Sequence, residues 1–575
     1  MTPPHQDTQA TFAAALVDEW VRGGLRHAVV CPGSRSTPLA LAFAAHEDID
    51  VQVHHDERSG GFLALGMALA GGRPVAVLVT SGTAAAELHP AIVEAHHAGV
   101  PLLVCTADRP PELRDVGAPQ TIDQNRLYGG AVRWYSDPGV ADDAVRDRWR
   151  AWAARALAET SGVVPGPVHV NLPFREPLVG TAGSLPPGRP ADGPWVRADR
   201  GEVFHLQDDL DIFYLSGRRG VIVAGGGSGR GSDVIRLAQG LGWPVVADPR
   251  ADTWQPSDVH VAHLDAILRS ERARAGLRPD AVLRLGTPPA SRVVNEWVAA
   301  SGAEEIVVPG ATWLDPAGTA CLVVGGDVAQ VVAELARDAH VASRDRPPGW
   351  LGNWRAAGDA AASALGEAWG AVPVPNEPAV ASETVAGLPD DAWLVVSSSM
   401  PIRDVERYAT PRSGLHVVAN RGANGIDGVV STAVGVAAAS SAPTGLMIGD
   451  LAFLHDSNGL LGIAYRDVDL VCVVVDNDGG GIFGFLPQAR TLDEPRFEQL
   501  FGTPHGLDLV ALAQAYGVAA RLVDDDIAGA VKAAAAAGGV HVLVVRTNRT
   551  TNVDVHQLLD TTIATAVDHA LGKLS

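Results

Sequence analysis

The stretch Gly435-Val436-Ala437-Ala438-Ala439 … Leu446-Met447-Ile448-Gly449-Asp450, followed 27 residues after Asp450 by Asn477-Asp478-Gly479-Gly480, decides the fold of this 575-residue chain. Its pattern occurs twice. Gly66-Met67-Ala68-Leu69-Ala70 leads in the same way to an apolar run at 75–79 and then to Thr80-Ser81-Gly82-Thr83. Asp450 stands 369 positions after Ser81, and Asn477 the same 369 after Asp108, so no insertion or deletion separates the copies. A helical segment, a buried strand and a strand-end turn recur in each, which predicts two similar α/β domains. Only the second copy carries the Asp and Asn of a metal-and-phosphate site. The first is adapted to something else.

Outward from the repeat, residues 10–178 alternate helical and strand patterns, with strands expected at 28–30, 75–80 and 101–106. A Pro/Gly-rich stretch, 179–201, has no periodicity and reads as a linker. A middle unit from about 205 begins with a strand at 220–224 and the loop Gly225-Gly226-Gly227-Ser228-Gly229-Arg230-Gly231; Asp248 follows the next strand, 244–247. That arrangement mimics a dinucleotide site without a clean GxGxxG, and such loops also serve as tight strand-to-helix turns. A second linker, 346–376, leads into the unit that repeats the first. The expected architecture is α/β: three doubly wound parallel-sheet domains at 1–185, 200–345 and 370–575, the first and last homologous.

The totals agree with several cores, since a chain of this length divides into about three or four units. Hydrophobic content of 47% with 19% charged residues is that of a globular enzyme. No apolar run reaches the roughly 18 residues of a membrane helix. The start, Met1-Thr2-Pro3-Pro4-His5-Gln6-Asp7, has no basic or apolar signal character, and four scattered cysteines form no CxxC pair, so a cytoplasmic protein is expected. A net charge of −22 argues against nucleic acid as a partner and requires that anionic small molecules be held by local arginines.

Asp450, the amide oxygen of Asn477 and the main-chain oxygen of Gly479 are hard oxygen donors just past strand ends, suited to Mg²⁺. With three protein ligands, about three octahedral positions remain for water and phosphate oxygens, so the site asks for a diphosphate. Taken singly, Asp450 could equally cap a helix and Asn477-Asp478-Gly479-Gly480 form a plain turn.

Taken together, a Gly-Asp pair with Asn 27 residues on resembles the motif of thiamine diphosphate-dependent enzymes, which pair a pyrimidine-binding domain with a homologous diphosphate-binding domain. Within that superfamily the chain resembles, over nearly its whole length, the 2-succinyl-5-enolpyruvyl-6-hydroxy-3-cyclohexene-1-carboxylate synthases of menaquinone biosynthesis. The phrases that carry the likeness are Cys31-Pro32-Gly33-Ser34-Arg35-Ser36, Asp56-Glu57-Arg58, Thr106-Ala107-Asp108-Arg109-Pro110-Pro111-Glu112-Leu113, Asn420-Arg421-Gly422-Ala423-Asn424-Gly425-Ile426-Asp427-Gly428 and Gly480-Gly481-Ile482-Phe483. Leu451 replaces the usual third motif glycine, Asp476 stands where many relatives have Asn, and Ser291 and Pro119 depart from the pattern near the substrate.

The resemblance implies thiamine diphosphate and Mg²⁺, with Mn²⁺ able to substitute. It implies Glu57 against the aminopyrimidine ring, Ile426 as the wedge beneath the cofactor, Asp450, Asn477 and Gly479 as metal ligands, and Ile482, Phe483 and Leu486 as an apolar wall. Ser34, Arg35, Arg109, Gln120 and Arg292 fall to isochorismate, and Ser399, Arg403 and Arg421 to the side derived from 2-oxoglutarate; Glu57, Arg35, Ser399 and Arg403 form the expected catalytic set. The implied transferase reaction is decarboxylation of 2-oxoglutarate and conjugate addition of the succinyl-semialdehyde carbanion to isochorismate. Because the two ends of the cofactor are held by different domains, a homodimer or dimer of dimers follows. The alternative is an acetolactate-synthase-like carboligase with flavin on the middle glycine loop.

Overall fold

Short runs of apolar, largely β-branched residues become fully buried parallel strands here because helices cover both faces of each sheet. The computed structural model describes residues 4–190, 193–196, 210–310 and 312–573. Parts of the amino-terminal and 179–201 linker readings, and the start of the middle unit at 205–209, lie outside the described residues.

Among the described residues the strands form three all-parallel sheets. The first contains β1 (His27–Val30), β2 (Asp50–Val53), β3 (Val75–Val79), β4 (Leu102–Asp108), β5 (Trp134–Ser136) and β6 (Val168–Pro173), in the order β2-β1-β3-β4-β6-β5. The second contains β7 (Gly220–Ala224), β8 (Val245–Ala247), β9 (Ala281–Leu285), β10 (Glu304–Gly310) and β11 (Ala320–Gly325), in the order β11-β10-β9-β7-β8. The third contains β12 (Trp393–Val396), β13 (His416–Val418), β14 (Thr444–Gly449), β15 (Leu470–Asp476), β16 (Ala519–Leu522) and β17 (Val540–Arg546), in the order β13-β12-β14-β15-β17-β16. First and third sheets share one topology, so β14 and β15 occupy the places of β3 and β4. The repeat read at the start is a repeat of structure.

In the third sheet the strand order reverses between β12 and β14, and ligands of open α/β sheets collect outside the carboxyl ends at such a point. Register sets the heights there: Val396 pairs with Met447, and Gly449 with Val475. The residues after these strands therefore open onto one crevice.

The first and third domains are locked together within the chain by two helices, Glu57–Gly71 and Val429–Ala439, whose apolar residues share one core. Their backbones touch at glycine. A Cβ on Gly66 would lie 2.0 Å from the Thr432 carbonyl oxygen, and one on Gly435 would lie 2.1 Å from that of Leu63. Polar straps flank the crossing: Asp456, fully buried, accepts from the Ser431 main-chain N–H (2.7 Å) and from the hydroxyls of Ser431 and Ser59. Glu94 accepts from the N–H groups of Gly422 and Ala423, each at 2.6 Å. No helix among the described residues is long and apolar enough to cross a membrane.

Candidate active site

A cavity opens below the carboxyl ends of β12, β14 and β15, lined by the segments 397–401, 449–452, 477–483 and by Ile426. Asp450 begins the helix Asp450–His455 directly after β14. Its Oδ2 accepts from the N–H groups of Asn477 (3.1 Å) and Gly479 (2.9 Å), and its Oδ1 from Leu451 (2.6 Å), which ties the ends of β14 and β15 together. Burial pushes the Asp450 carboxyl above its ordinary range, opposed by these bonds. The Gly479 carbonyl accepts one bond, from Gly481 N–H at 3.0 Å, and keeps a second lone pair.

Asn477 donates its Nδ2 to Glu377 Oε1 at 2.7 Å, while its Oδ1 is buried and has no partner among the described residues. An orphaned amide oxygen beside a buried carboxylate and a carbonyl with a free lone pair is a donor set for a small hard cation. Glycine gives the room: a Cβ at Gly449 would meet nothing within 4 Å, and one at Gly481 would lie 2.5 Å from Asn477 Nδ2. The residues present fit a divalent ion with a diphosphate in the cavity.

Charged groups from distant segments surround these donors. Glu377 is pushed up to about 7, first by complete burial and then by the charge of Asp404. Asp404 Oδ1 lies 2.8 Å from His556 Nε2, and His556 Nδ1 lies 2.8 Å from the Asn552 carbonyl. Both ring nitrogens face acceptors, which favours the charged imidazole; burial opposes the charge, and the Asp404 carboxylate outweighs it, so the His556 ring is pushed above its ordinary value. On the other side, His505 Nδ1 accepts from Leu507 N–H at 3.0 Å, which puts the ring proton on Nε2, 3.4 Å from Asp450 Oδ2 and 3.7 Å from Asp476 Oδ1. Asp450, Asp476 and His505 form a group of metal-ligating type.

Ser399, with φ of 78°, lines the cavity at the start of the helix Met400–Tyr408, and Arg403 one turn on donates to its carbonyl. Arg421 is pushed down by burial and then by the charges of Arg250 and Arg403, so three guanidiniums share one neighbourhood. Ile482 and Phe483 line the cavity with Ile426; Leu486 lies one turn beyond the lining. Every lining residue belongs to 377–483. Glu57 is not among them.

Glu57 opens the helix Glu57–Gly71 of the first domain, half-buried, its carboxyl pushed up by burial and by the charges of Asp56 and Glu87. Neighbouring His54 is held down at about 4, mainly by burial, and its Nδ1 accepts from Asp56 N–H at 3.1 Å. At the carboxyl edge of the first sheet, Arg109 donates to Ser81 Oγ and, at 2.9 Å, to the Pro119 carbonyl; Gln120 Nε2 donates to the Ser81 carbonyl at 3.0 Å. Arg35 is buried, donating to the Phe174 carbonyl (2.9 Å) and to Glu176 (3.0 Å), and its charge helps burial to push Arg109 down. Ser34 is exposed at the turn between β1 and the helix Thr37–Ala45. Arg35, Arg109 and Gln120 thus gather at one edge.

The middle domain does not join either group with Arg292, which is exposed and paired with Glu296 at 2.6 Å, one turn along the helix Arg292–Ala300. Ser291 caps that helix and bonds Asp265. In the glycine loop after β7 the first glycine serves close packing: a Cβ on Gly225 would fall 1.7 Å from the Thr287 carbonyl oxygen, while one on Gly227 would meet nothing within 4 Å. Asp248, where a ribose would bind in a dinucleotide site, is buried and taken up by Arg250 (2.7 and 3.0 Å) and by Ala290 N–H. Glu377, Asp404, His505 and His556 were not legible beforehand, because each is a single polar residue with no spacing to another. Thr503-Pro504-His505-Gly506 offered the one local signal, a turn.

Three family descriptions match the chain: "Thiamine pyrophosphate enzyme, N-terminal TPP binding domain" over residues 10–127, "Middle domain of thiamine pyrophosphate" over 190–396, and "Thiamine pyrophosphate enzyme, C-terminal TPP binding domain" over 401–545. Proteins named 2-succinyl-5-enolpyruvyl-6-hydroxy-3-cyclohexene-1-carboxylate synthase are similar over nearly the full length. That of Chloroflexus aurantiacus is 40% identical, covering 98% of each chain, and that of Geobacillus kaustophilus is 42% identical, covering 98% of this chain and all of the relative. That of Myxococcus xanthus is 41% identical over 95% of this chain and 96% of its own. Among solved structures, the thiamine diphosphate-dependent 4-hydroxybenzoylformate decarboxylase of Rhodococcus jostii RHA1 superposes with a TM-score of 0.72 at 20% identity, covering 94% of this chain and 99% of that one, which speaks to the fold.

Proposed function

The chain belongs to the thiamine pyrophosphate enzymes and, among them, to the 2-succinyl-5-enolpyruvyl-6-hydroxy-3-cyclohexene-1-carboxylate synthases, and from that membership we propose how its site is assembled and what it takes. It is a thiamine diphosphate-dependent carboligase of menaquinone biosynthesis. The substrates in this reading are 2-oxoglutarate and isochorismate, and the ion is Mg²⁺ held by Asp450, Asn477 Oδ1 and the Gly479 carbonyl.

When bound, the cofactor supplies the electron sink that lets CO₂ leave and a carbon–carbon bond form. The chain's own residues do the rest. Ile426, Ile482 and Phe483 give the apolar walls that exclude water, and Asp450 with Asn477 anchors the diphosphate through the ion. Glu57, its carboxyl raised by burial, holds or yields a proton at an aminopyrimidine nitrogen. Arg35 and Arg109, already forced close together, take substrate carboxylates at the first sheet, while Arg403 and Arg421 take those at the third. Local guanidinium pairs of this kind are what a chain of net charge −22 needs to hold two polyanions.

The observation that carries the reading is the orphaned Asn477 amide oxygen in a cavity whose lining holds nothing from the first domain. Glu57 is then supplied by a second copy of the chain, making a homodimer the active unit. Mixing isochorismate, 2-oxoglutarate, thiamine diphosphate and Mg²⁺ should release CO₂ only when all four are present, with a coupled product of the expected mass. Acetolactate from pyruvate in place of that product would overturn it. Co-expressed Glu57→Gln and Asp450→Ala chains, each strongly impaired alone at limiting cofactor and metal, should recover activity in the mixed dimer under the same conditions; no recovery would sink the shared site.

A further inference from the structure

We propose that Glu377 is a positioning residue of the metal centre: by accepting the Asn477 amide N–H it fixes the amide oxygen as the atom presented to the ion. The inference rests on the reading of Asp450, Asn477 and Gly479 as the donor set, and adds to it a residue outside that set.

An asparagine amide can turn about its terminal bond and offer either oxygen or nitrogen, but only the oxygen can bind a hard cation. Here the choice is made before any ion arrives. Glu377 Oε1 lies 2.7 Å from Asn477 Nδ2, and with Glu377 ionised, as it is beside a bound cation, turning the amide would set two acceptor oxygens against each other at that distance. Glu377 itself cannot move aside. It is 3% exposed and is the first residue of the helix Glu377–Gly387, whose start is held by Asn376 Oδ1 accepting from Ala379 N–H at 2.8 Å. Val380, Ala381 and Val385 anchor that helix in the core shared by the middle and last domains. The same Oε1 also faces Thr547 Oγ1, at 3.5 Å. Partners behind a metal ligand commonly govern affinity by ten- to a hundred-fold.

The test measures Mn²⁺ binding to the full-length protein with saturating thiamine diphosphate, by loss of the free-ion electron paramagnetic resonance signal, alongside thermal unfolding without metal. Glu377→Met removes the acceptor at nearly constant volume, and should raise the Mn²⁺ Kd by roughly ten- to a hundred-fold while leaving the metal-free Tm unlowered. Glu377→Gln keeps an acceptor oxygen and should restore binding to within a few-fold of wild type, as order-of-magnitude expectations. Wild-type Kd in Glu377→Met overturns the inference. If that variant does not fold, Asn477→Asp and the double variant Asn477→Asp/Glu377→Gln decide. The double variant gives the new carboxylate an N–H and should bind Mn²⁺ at least about ten-fold tighter than the single; equal affinities overturn the inference. Asp450→Ala separates the two levels: if it binds Mn²⁺ like wild type, the donor set itself is wrong. If it loses Mn²⁺ while Glu377→Met does not, only the role of Glu377 falls.

Discussion

The carboxyl edges of the first and third sheets are the same piece of scaffold given opposite electrical jobs. In the third, the residue after β14 is Asp450 and the one after β15 is Asn477, whose amide oxygen has no partner among the described residues. In the first, the corresponding residues are Ser81 and Asp108. Ser81 Oγ takes an N–H of Arg109, and Asp108 is saturated by Arg114 (2.9 Å), Asn171 (2.9 Å) and the Arg109 N–H (2.7 Å). One edge presents a set of oxygens suited to a cation; the other carries its cation covalently, as guanidinium. A duplicated sheet end can therefore be turned from a site for a phosphate-bound metal ion into a site for carboxylates by exchanging a few side chains, with the strand order untouched.

The sharpest way to break this comparison is to separate anchoring from chemistry. If the first domain contributes a proton-transfer group and no anchor, Glu57→Gln should lower turnover by about 10²- to 10⁴-fold while thiamine diphosphate still binds. Stopped assays paired with calorimetry would show the split, and wild-type turnover would refute the assignment. Asp450→Ala should show the reverse order of effects: cofactor and metal affinity fall by about a hundred-fold, and whatever activity remains returns as both are added in excess. An unchanged Kd for cofactor and metal would remove the third edge from the anchoring role.

What could be read from the chain was whatever repeats or has fixed spacing. The 369-residue offset brought out the shared topology, and strands such as 220–224 and 75–79 lie where their apolar runs lie. Asp450 and Asn477 were legible because a strand end places them. Glu377 was not: it opens the helix Glu377–Gly387 100 residues before its partner, after a stretch expected to be a linker that instead folds largely as the helix Trp350–Ala368, and nothing in one sequence joins the two. The same holds for Asp404 and His556, paired across 152 positions. The glycine loop of the middle domain shows the converse: what requires Gly225 is the close approach of Thr287, a residue outside the pattern. Arg292 shows that a matched phrase fixes a position in the chain and leaves open what that side chain faces, which here is Glu296.

A smaller effect tests the first edge. Arg109→Ala should raise the KM for isochorismate by roughly ten- to a hundred-fold, the loss of a charge-assisted hydrogen bond worth about 1.5–3 kcal/mol. Cofactor affinity should not change, because Arg109 stands on the sheet that holds no ion in the proposed reading. A matching loss of thiamine diphosphate binding would mean that the two edges are not divided as argued. Arg109→Lys should recover little, since a point charge cannot serve Ser81 and Pro119 together.

The effect on catalysis is smallest for the strap that fixes one edge relative to the other, which acts on stability. Asp456 is raised from an ordinary 3.8 to about 6, chiefly by burial, against bonds from Ser431 and Ser59. Between those values the folded chain keeps a proton that the unfolded chain has released, so stability declines as pH rises through that window and is flat above it. The shift corresponds to about 3 kcal/mol at neutral pH, as an order of magnitude. Asp456→Asn, which removes the charge and keeps an oxygen toward Ser431, should therefore unfold at least as late as wild type at pH 7.5, and its advantage should shrink as the pH is lowered toward 4.5. Thermal scans across that range read the difference directly. A variant that is less stable at pH 7.5 and recovers on acidification would show instead that the ionised carboxylate, through its three hydrogen bonds, is what holds the two domains in register.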